Sequence, residues 1–252
     1  MPTASVTFEN ISFVLMDIEG TISDVHFVKD VLFPYSAREL RNFVAQNRTS
    51  PMVRACLKDA GQAKAQSTAA PSFDDETAIL QLLEWIKLDV KHPALKTIQG
   101  LIWRKGFTEN VFRAHLYPDV VSQWRQWQKQ GLRLGIYSSG SVDAQKLFFE
   151  YSVEGNVLAM LEAHFDLAVG SKKETSSYAQ IADQLQLPAR QILFLSDIEA
   201  ELDAAKNSGL QTSLVARAAD AAFTDASRLS KHKTVHSLSD LRVAANPEVK
   251  KI

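Results

Sequence analysis

Four apolar residues, Phe13-Val-Leu-Met16, run without a break into Asp17-Ile-Glu-Gly-Thr21. Such a run, bounded by a turn, is the pattern of a parallel strand buried on both faces, with its carboxyl end opening into a crevice. Gly20 lets the chain turn away from the sheet at that end. Asp17 and Glu19 can therefore face one crevice. Two carboxylates at this spacing fit covalent catalysis by the first and proton transfer by the second, because an ionised Asp can attack phosphorus and become an aspartyl-phosphate. The attack brings an anion toward an anion, so a hard cation has to bridge nucleophile and phosphoryl oxygens. Mg2+ bound through one or two carboxylates meets that need. The plain alternative is a strand followed by an ordinary acidic turn.

The rest of the chain repeats the strand-then-polar pattern. Leu132 to Tyr137 reads as a strand ending in Ser138-Ser139-Gly140-Ser141, with a helix over Val142–Phe149. Phe165 to Val169 reads as a strand ending in Gly170-Ser171-Lys172-Lys173-Glu174, followed by a helix up to Leu187. Ile192 to Leu195 is a short apolar strand ending in Ser196-Asp197, then a helix over Glu199–Asn207 and a strand over Gln211–Ala216. Strands alternating with helices of roughly 10–15 residues predict a doubly wound parallel sheet of the α/β class, which binds ligands beyond its strand carboxyl ends. The tail from Ala219 is polar and weakly patterned, with a last strand near Thr234–His236 and a short helix after it.

Between residues 25 and 115 no strand signal of comparable strength occurs, and the region reads as a helical insertion. Phe27 to Phe43 has near-helical spacing interrupted or restarted at Pro34. Residues 46–72 are rich in Ala, Gln, Lys, Ser and Thr and read as the loop-rich part, with a short helix over Met52–Leu57. Ile79, Leu82, Leu83 and Ile86 mark one face of an amphipathic helix, and Leu95–Phe107 reads as another. The aromatic residues Phe27, Phe33, Trp103 and Phe107 of this insertion are candidates either for core or for contact with an apolar part of a substrate.

Each polar cluster has a chemical and a bland reading. The hydroxyls of Ser138 and Ser139, with amides at the start of the next helix, can hold phosphate oxygens; Ser139 or Ser141 could equally be a helix cap. Lys172 or Lys173 would neutralise charge on the nucleophile and the transferring group, or be a solvated surface lysine. Asp197 would be the second carboxylate on Mg2+, with Glu201 one helical turn on to position the lysine or a metal-bound water. In structural terms Asp197 could be an N-cap and Glu201 a solvated helix residue.

Composition narrows the classes. A net charge of -1 gives no polyanion-binding signature, so nucleic acid is not an expected partner. No apolar run approaches the ~20 residues of a membrane span, and the first residues lack a basic segment followed by a long apolar one. The single cysteine, Cys56, excludes an intramolecular disulfide and suits a reducing compartment. A soluble, cytoplasmic protein is the expectation. The six histidines offer no metal pattern beyond His232 and His236 in the weakly patterned tail, where a zinc site is not expected, and neither a Walker-type loop nor a GxGxxG fingerprint is present.

Together these segments resemble the haloacid-dehalogenase superfamily of phosphatases, whose pattern is Asp-x-Asp-x-Thr, a Ser/Thr strand end, a Lys and a late acidic pair. Glu19 stands where most members carry Asp. That departure, with Phe27-Val-Lys-Asp-Val-Leu-Phe-Pro-Tyr35, Tyr137-Ser-Ser-Gly-Ser-Val-Asp-Ala-Gln-Lys146 and Phe194-Leu-Ser-Asp197, is similar to the enolase-phosphatase family of methionine salvage. The resemblance implies a Rossmann-like core (residues 1–24 and 116–252) with an inserted helical cap (25–115). It implies a bifunctional enzyme carrying one Mg2+ per chain, which enolises 2,3-diketo-5-methylthiopentyl 1-phosphate and then hydrolyses the ester to an acireductone. Carried onto this chain, it makes Asp17 nucleophile and metal ligand, Glu19 acid/base and a ligand through its carbonyl, Asp197 the remaining protein ligand, and Ser138 and Ser139 the phosphate binders. Gly170-x-Lys172 matches the family spacing better than Lys173 does. The expected partner is a small phosphate ester, and the expected state a monomer.

Other readings remain. A phosphatase or mutase for other sugar phosphates is the nearest, and a phospho-Asp signalling module would also put an Asp and a Lys at strand ends of such a sheet. Glu19 and the size of the insertion weigh against the signalling module. A catalytically silent metabolite-binding protein is weakened by the apparently full set of groups.

Overall fold

The run Phe13–Met16 is a strand with every residue buried, and it lies at the centre of a six-stranded sheet. In chain order the strands are β1 (Val6–Ile11), β2 (Phe13–Met16), β3 (Arg133–Tyr137), β4 (Ala163–Phe165), β5 (Ile192–Ser196), β6 (Gln211–Val215), β7 (Lys233–Val235) and β8 (Leu241–Ala245). The large sheet has the order β4-β3-β2-β5-β6-β7, and every pairing in it is parallel. β1 and β8 pair in parallel as a separate two-stranded sheet. The computed structural model describes residues 5–68, 74–217 and 230–247. By contacts the chain divides into two units, Met1–Val25 with Ala114–Ile252, and His26–Arg113.

In the first unit the chain leaves β2 toward β3 and β4, then crosses to build β5, β6 and β7 on the other side. The strand order reverses between β2 and β5, and such a switch point is where doubly wound sheets hold ligands. Met16 pairs with Ile136 and with Leu195, so Asp17 leaves the sheet level with Tyr137 and Ser196. Helices α5 (Pro118–Lys129), α6 (Val142–Glu150), α7 (Thr175–Leu185) and α8 (Glu199–Asn207) cover the sheet. One core cluster joins Phe13, Leu15, Phe165, Ile181, Phe194 and Leu214. Trp124 is fully buried and donates its indole N–H to Met16 Sδ at 3.1 Å, one residue before Asp17.

The second unit is helical. A π-helical segment, Phe27–Leu32, runs straight into α1 (Phe33–Gln46), and α2 (Pro51–Thr68), α3 (Asp75–Lys87) and α4 (Pro93–Thr108) complete it. The Phe33 N–H reaches back to Val28 O, five residues earlier. Pro34, at the start of α1, has no N–H to give, so the chain changes helical register there rather than stopping. Leu40, Val44, Val53, Leu82, Ile98 and Ile102 form its core. Phe33 stacks on Trp103 with centroids 6.3 Å apart, and Phe27 and Phe107 pack edge-on against Phe112. All four aromatic candidates therefore have packing partners within this unit.

Two expectations are corrected. Residues 51–68, read as loop-rich around a short helix, form the long helix α2. The strand read over Phe165–Val169 ends at Phe165: Asp166 Oδ1 accepts the Ala168 N–H at 2.9 Å and bends Leu167–Val169 into a 3-10 turn. β1 and β8 were not anticipated. Part of the polar tail, residues 218–229, lies outside the described residues.

Candidate active site

At the end of β2 the backbone closes a tight turn in which Ile18 O accepts the amides of Thr21, Ile22 and Ser23 and Gly20 N–H donates to Ser23 O at 2.8 Å. Gly20 holds φ +73°, and a Cβ on it would lie 2.3 Å from Asp197 Oδ2. Glycine is required here twice over, for the backbone angle and for the room it leaves to a carboxylate. The turn leaves Asp17 near enough for its charge to act on Asp197, with Glu19 half-buried two residues after Asp17.

Lys172 is 8% exposed, and its ammonium lies 2.6 Å from Asp17 Oδ1 and 2.7 Å from Glu201 Oε2. Glu201 Oε2 also accepts the Ser196 hydroxyl at 2.9 Å, and Ser196 Oγ in turn accepts the Ile198 N–H at 3.1 Å. Lys173 is exposed, so the structure separates the two lysines that sequence alone left open. Asp197 is not a helix cap; Ile198 stands at that position without a side-chain bond. Glu201 is a buried ion-pair partner and not a solvated helix residue.

The cluster carries more negative than positive charge. Burial pushes Asp197 up to about 8, helped by the charge of Asp17, and burial with Asp17 also raises Glu201. Burial opposes the charge on Lys172, yet Asp17 and Glu201 outweigh it and hold the ammonium well above its usual range. Asp197 Oδ1 is buried without a hydrogen-bond partner. An orphaned carboxylate oxygen, in a space kept open by glycine, next to a second carboxylate, fits a hard divalent cation. Among the described residues no three His, Cys, Asp or Glu side chains group as a metal site by themselves, so a cation here would need backbone, substrate or water oxygens too.

At the end of β3, Ser138 is buried and its hydroxyl accepts the Gly140 N–H at 3.3 Å, while Ser139 is half-buried. Capping of α6 falls to Ser141, which accepts the Ala144 N–H. The Val142 amide donates to Asp166 Oδ2 at 3.2 Å, which removes it from the amides expected to meet a phosphate. Gln145, buried, donates to Gly140 O at 3.0 Å and Phe165 O at 2.8 Å, and Phe165 O also accepts the Ser138 N–H. This side chain fixes the serine loop. It was missed because a lone Gln on an amphipathic helix carries no signal of burial.

Residues 11–209 match the haloacid dehalogenase-like hydrolase family. Over 225 residues, 89% of this chain and 94% of the relative, the sequence is 44% identical to the enolase-phosphatase E1 of Pectobacterium carotovorum. It is likewise 44% identical over 233 residues to the enzyme of that name from Pseudomonas aeruginosa, covering 92% of this chain and 99% of the relative. The chain belongs to the enolase-phosphatase family. Among solved structures, the UTR4 protein of Saccharomyces cerevisiae superposes with a TM-score of 0.73 at 35% identity, over 90% of this chain and 98% of that one. The Asp17-Ile-Glu-Gly-Thr21 turn and the Phe194-Leu-Ser-Asp197 strand end both lie inside the span matched by the hydrolase family.

Proposed function

We propose that this chain is a Mg2+-dependent enolase-phosphatase of methionine salvage. It would convert 2,3-diketo-5-methylthiopentyl 1-phosphate to 1,2-dihydroxy-3-keto-5-methylthiopentene and phosphate. The reading rests on one observation above others: a buried ammonium, Lys172, shared between Asp17 at the carboxyl end of β2 and Glu201 in the first turn of the helix after β5, with the Asp197 Oδ1 left without a partner. In a hydrolase of this family that arrangement supplies a nucleophile, a fixed counter-charge and a cation site together.

The carbon bearing the phosphate lies next to a carbonyl, so its proton is acidic. Glu19 removes it, the electron pair moves onto the carbonyl oxygen, and Glu19 returns the proton to that oxygen to complete the enol. Asp17 then attacks phosphorus, the bond from phosphorus to the ester oxygen breaks, and Glu19, reprotonated from solvent, protonates that oxygen. Water, deprotonated by Glu19, releases phosphate from the aspartyl-phosphate anhydride and restores Asp17, and Glu19 then gives this proton to solvent before the next turnover. Lys172 offsets charge on the transferring group, and Ser138 and Ser139 donate to its oxygens. Asp17 and Asp197, with the Glu19 carbonyl, would hold one Mg2+ per chain. When bound it supplies the positive charge that lets an anionic nucleophile approach a phosphate.

In this reading the helical unit His26–Arg113 serves as a cap and the enzyme works as a cytoplasmic monomer on a small phosphate ester. Among the described residues no helix is long and apolar enough to cross a membrane. The test is anaerobic incubation with the diketone phosphate and Mg2+, followed by proton and phosphorus NMR. An enol signal followed by inorganic phosphate is the expected course. Turnover of simple sugar phosphates with no action on the diketone would instead favour a general phosphatase or mutase, and a stable phosphoprotein without turnover a signalling module.

A further inference from the structure

The segment that delivers Lys172 lies between the 3-10 turn Leu167–Val169 and the start of α7, and has no ladder to hold it. Its three successive carbonyls nevertheless each accept a side-chain hydroxyl. Tyr137 Oη donates to Gly170 O at 2.9 Å, Ser177 Oγ to Ser171 O at 2.8 Å, and Tyr178 Oη to Lys172 O at 2.6 Å. All three donors are fully buried. Tyr137 comes from the end of β3, immediately before the serine loop, while Ser177 and Tyr178 lie in the first turn of α7.

We infer that Tyr137, Ser177 and Tyr178 form a three-hydroxyl clamp that positions Lys172 for the reaction. A lysine has a long flexible stem, and its ammonium is fixed only if the backbone beneath it is fixed. A loop backbone is fixed only where its polar groups find partners. The clamp does this for each carbonyl in turn. Gly170 belongs to the same device: it holds φ +122°, and a Cβ there would come within 2.2 Å of the Ser177 hydroxyl. Tyr137 and Tyr178 meet edge to face, with centroids 5.5 Å apart, so the phenols also fix each other. Burial, ahead of any charge, pushes both phenols above their ordinary range, and they stay donors. Through Tyr137 the lysine loop and the phosphate-binding strand end move as one piece.

This inference rests on the role given to Lys172 above, and the test separates the two. Tyr178→Phe removes one hydroxyl and no ring. The expected result is a fall of about tenfold in kcat for phosphate release, the size of one lost hydrogen bond, with KM within about twofold. Tyr137→Phe should act in the same direction. In a Lys172→Ala background, Tyr178→Phe should have no further effect, because the hydroxyl acts only through the lysine. An equal fold-loss in both backgrounds, or a lowered Tm with kcat intact, would overturn the clamp. Full activity of Lys172→Ala alone would strike at the functional reading itself, whereas a fully active Tyr178→Phe beside an impaired Lys172→Ala removes the clamp only.

Discussion

Glu19 stands two residues after Asp17 and carries one methylene more than the Asp most superfamily members have there. In the proposed reaction that reach would let one carboxylate serve a carbon acid and an ester oxygen in turn. Glu19→Ala should therefore lose enolisation and phosphate release together, each by roughly 100- to 10,000-fold, the usual weight of a general acid/base. Normal enol formation in that variant, followed by NMR, would remove Glu19 from the first half-reaction. Gly20 tests the cation site. Alanine at φ +73° is strained, and its Cβ would displace the Asp197 carboxylate. The expected outcome is a Mg2+ Kd raised roughly 10- to 100-fold by calorimetric titration, beyond a stability loss of about 1 kcal/mol for the backbone angle. Unchanged Mg2+ affinity would place the cation elsewhere.

At the scale of elements, legibility followed the continuity of the buried apolar pattern. β2 and β5 declare themselves because both faces are buried and their residues are large and apolar. α2 buries Val53, Cys56, Leu57 and Ala60, at helical spacing, but only over its first half, and the polar Gln, Lys, Ser and Thr after them dilute the pattern across the whole stretch. Its Ala, Gln and Lys are good helix formers, so propensity held the signal that the pattern did not. β4 stops early because Asp166 offers its backbone a competing bond, which a run of apolar residues cannot reveal. The site split the same way: Asp17, Asp197 and Lys172 end recognisable strands or loops, whereas Tyr137 and Tyr178 look like ordinary core and Gln145 like a solvated helix residue. β4 also carries His164, whose Nδ1 lies 3.3 Å from Gln145 Oε1. Burial, then Lys146, pushes this ring down to about 4 from an ordinary 6.5. Its folded value lies below the unfolded one, so its contribution is complete above about pH 6.5 and is lost as pH falls toward 4. Between pH 6.5 and 4.5 the urea midpoint of the wild type should drop more than that of His164→Gln. Parallel slopes would show that the ring is not a pH-sensitive element.

Across the whole first unit, a single buried charge pair joins segments far apart in the chain. Arg217, just past β6, donates Nε–H to Thr21 O at 2.8 Å and grips both oxygens of Asp119 at 2.9 Å. Its guanidinium lies 4.3 Å from the centre of the Tyr117 ring. Asp119 Oδ2 also accepts the Ser237 hydroxyl at 2.8 Å and the Leu238 amide at 2.6 Å. The turn after Glu19, the start of α5, the end of β6 and the approach to β8 thus meet on one ion pair, Thr21 through Arg217 and the others through Asp119. Burial alone would raise Asp119, but Arg217 and these hydrogen bonds outweigh it and hold the carboxyl below its ordinary range. A depressed folded value means that its contribution is present above the ordinary carboxylate range and lost as pH falls through the folded value, so this junction fails in acid. Asp119→Ala should cost about 3–5 kcal/mol, because it strands a buried guanidinium. Arg217→Met in the same chain removes the stranded charge and should return part of that loss. If urea unfolding showed the double variant as unstable as the sum of the single ones, the cost would lie in packing rather than in the pair, and the closure of the core around Thr21 would need another cause.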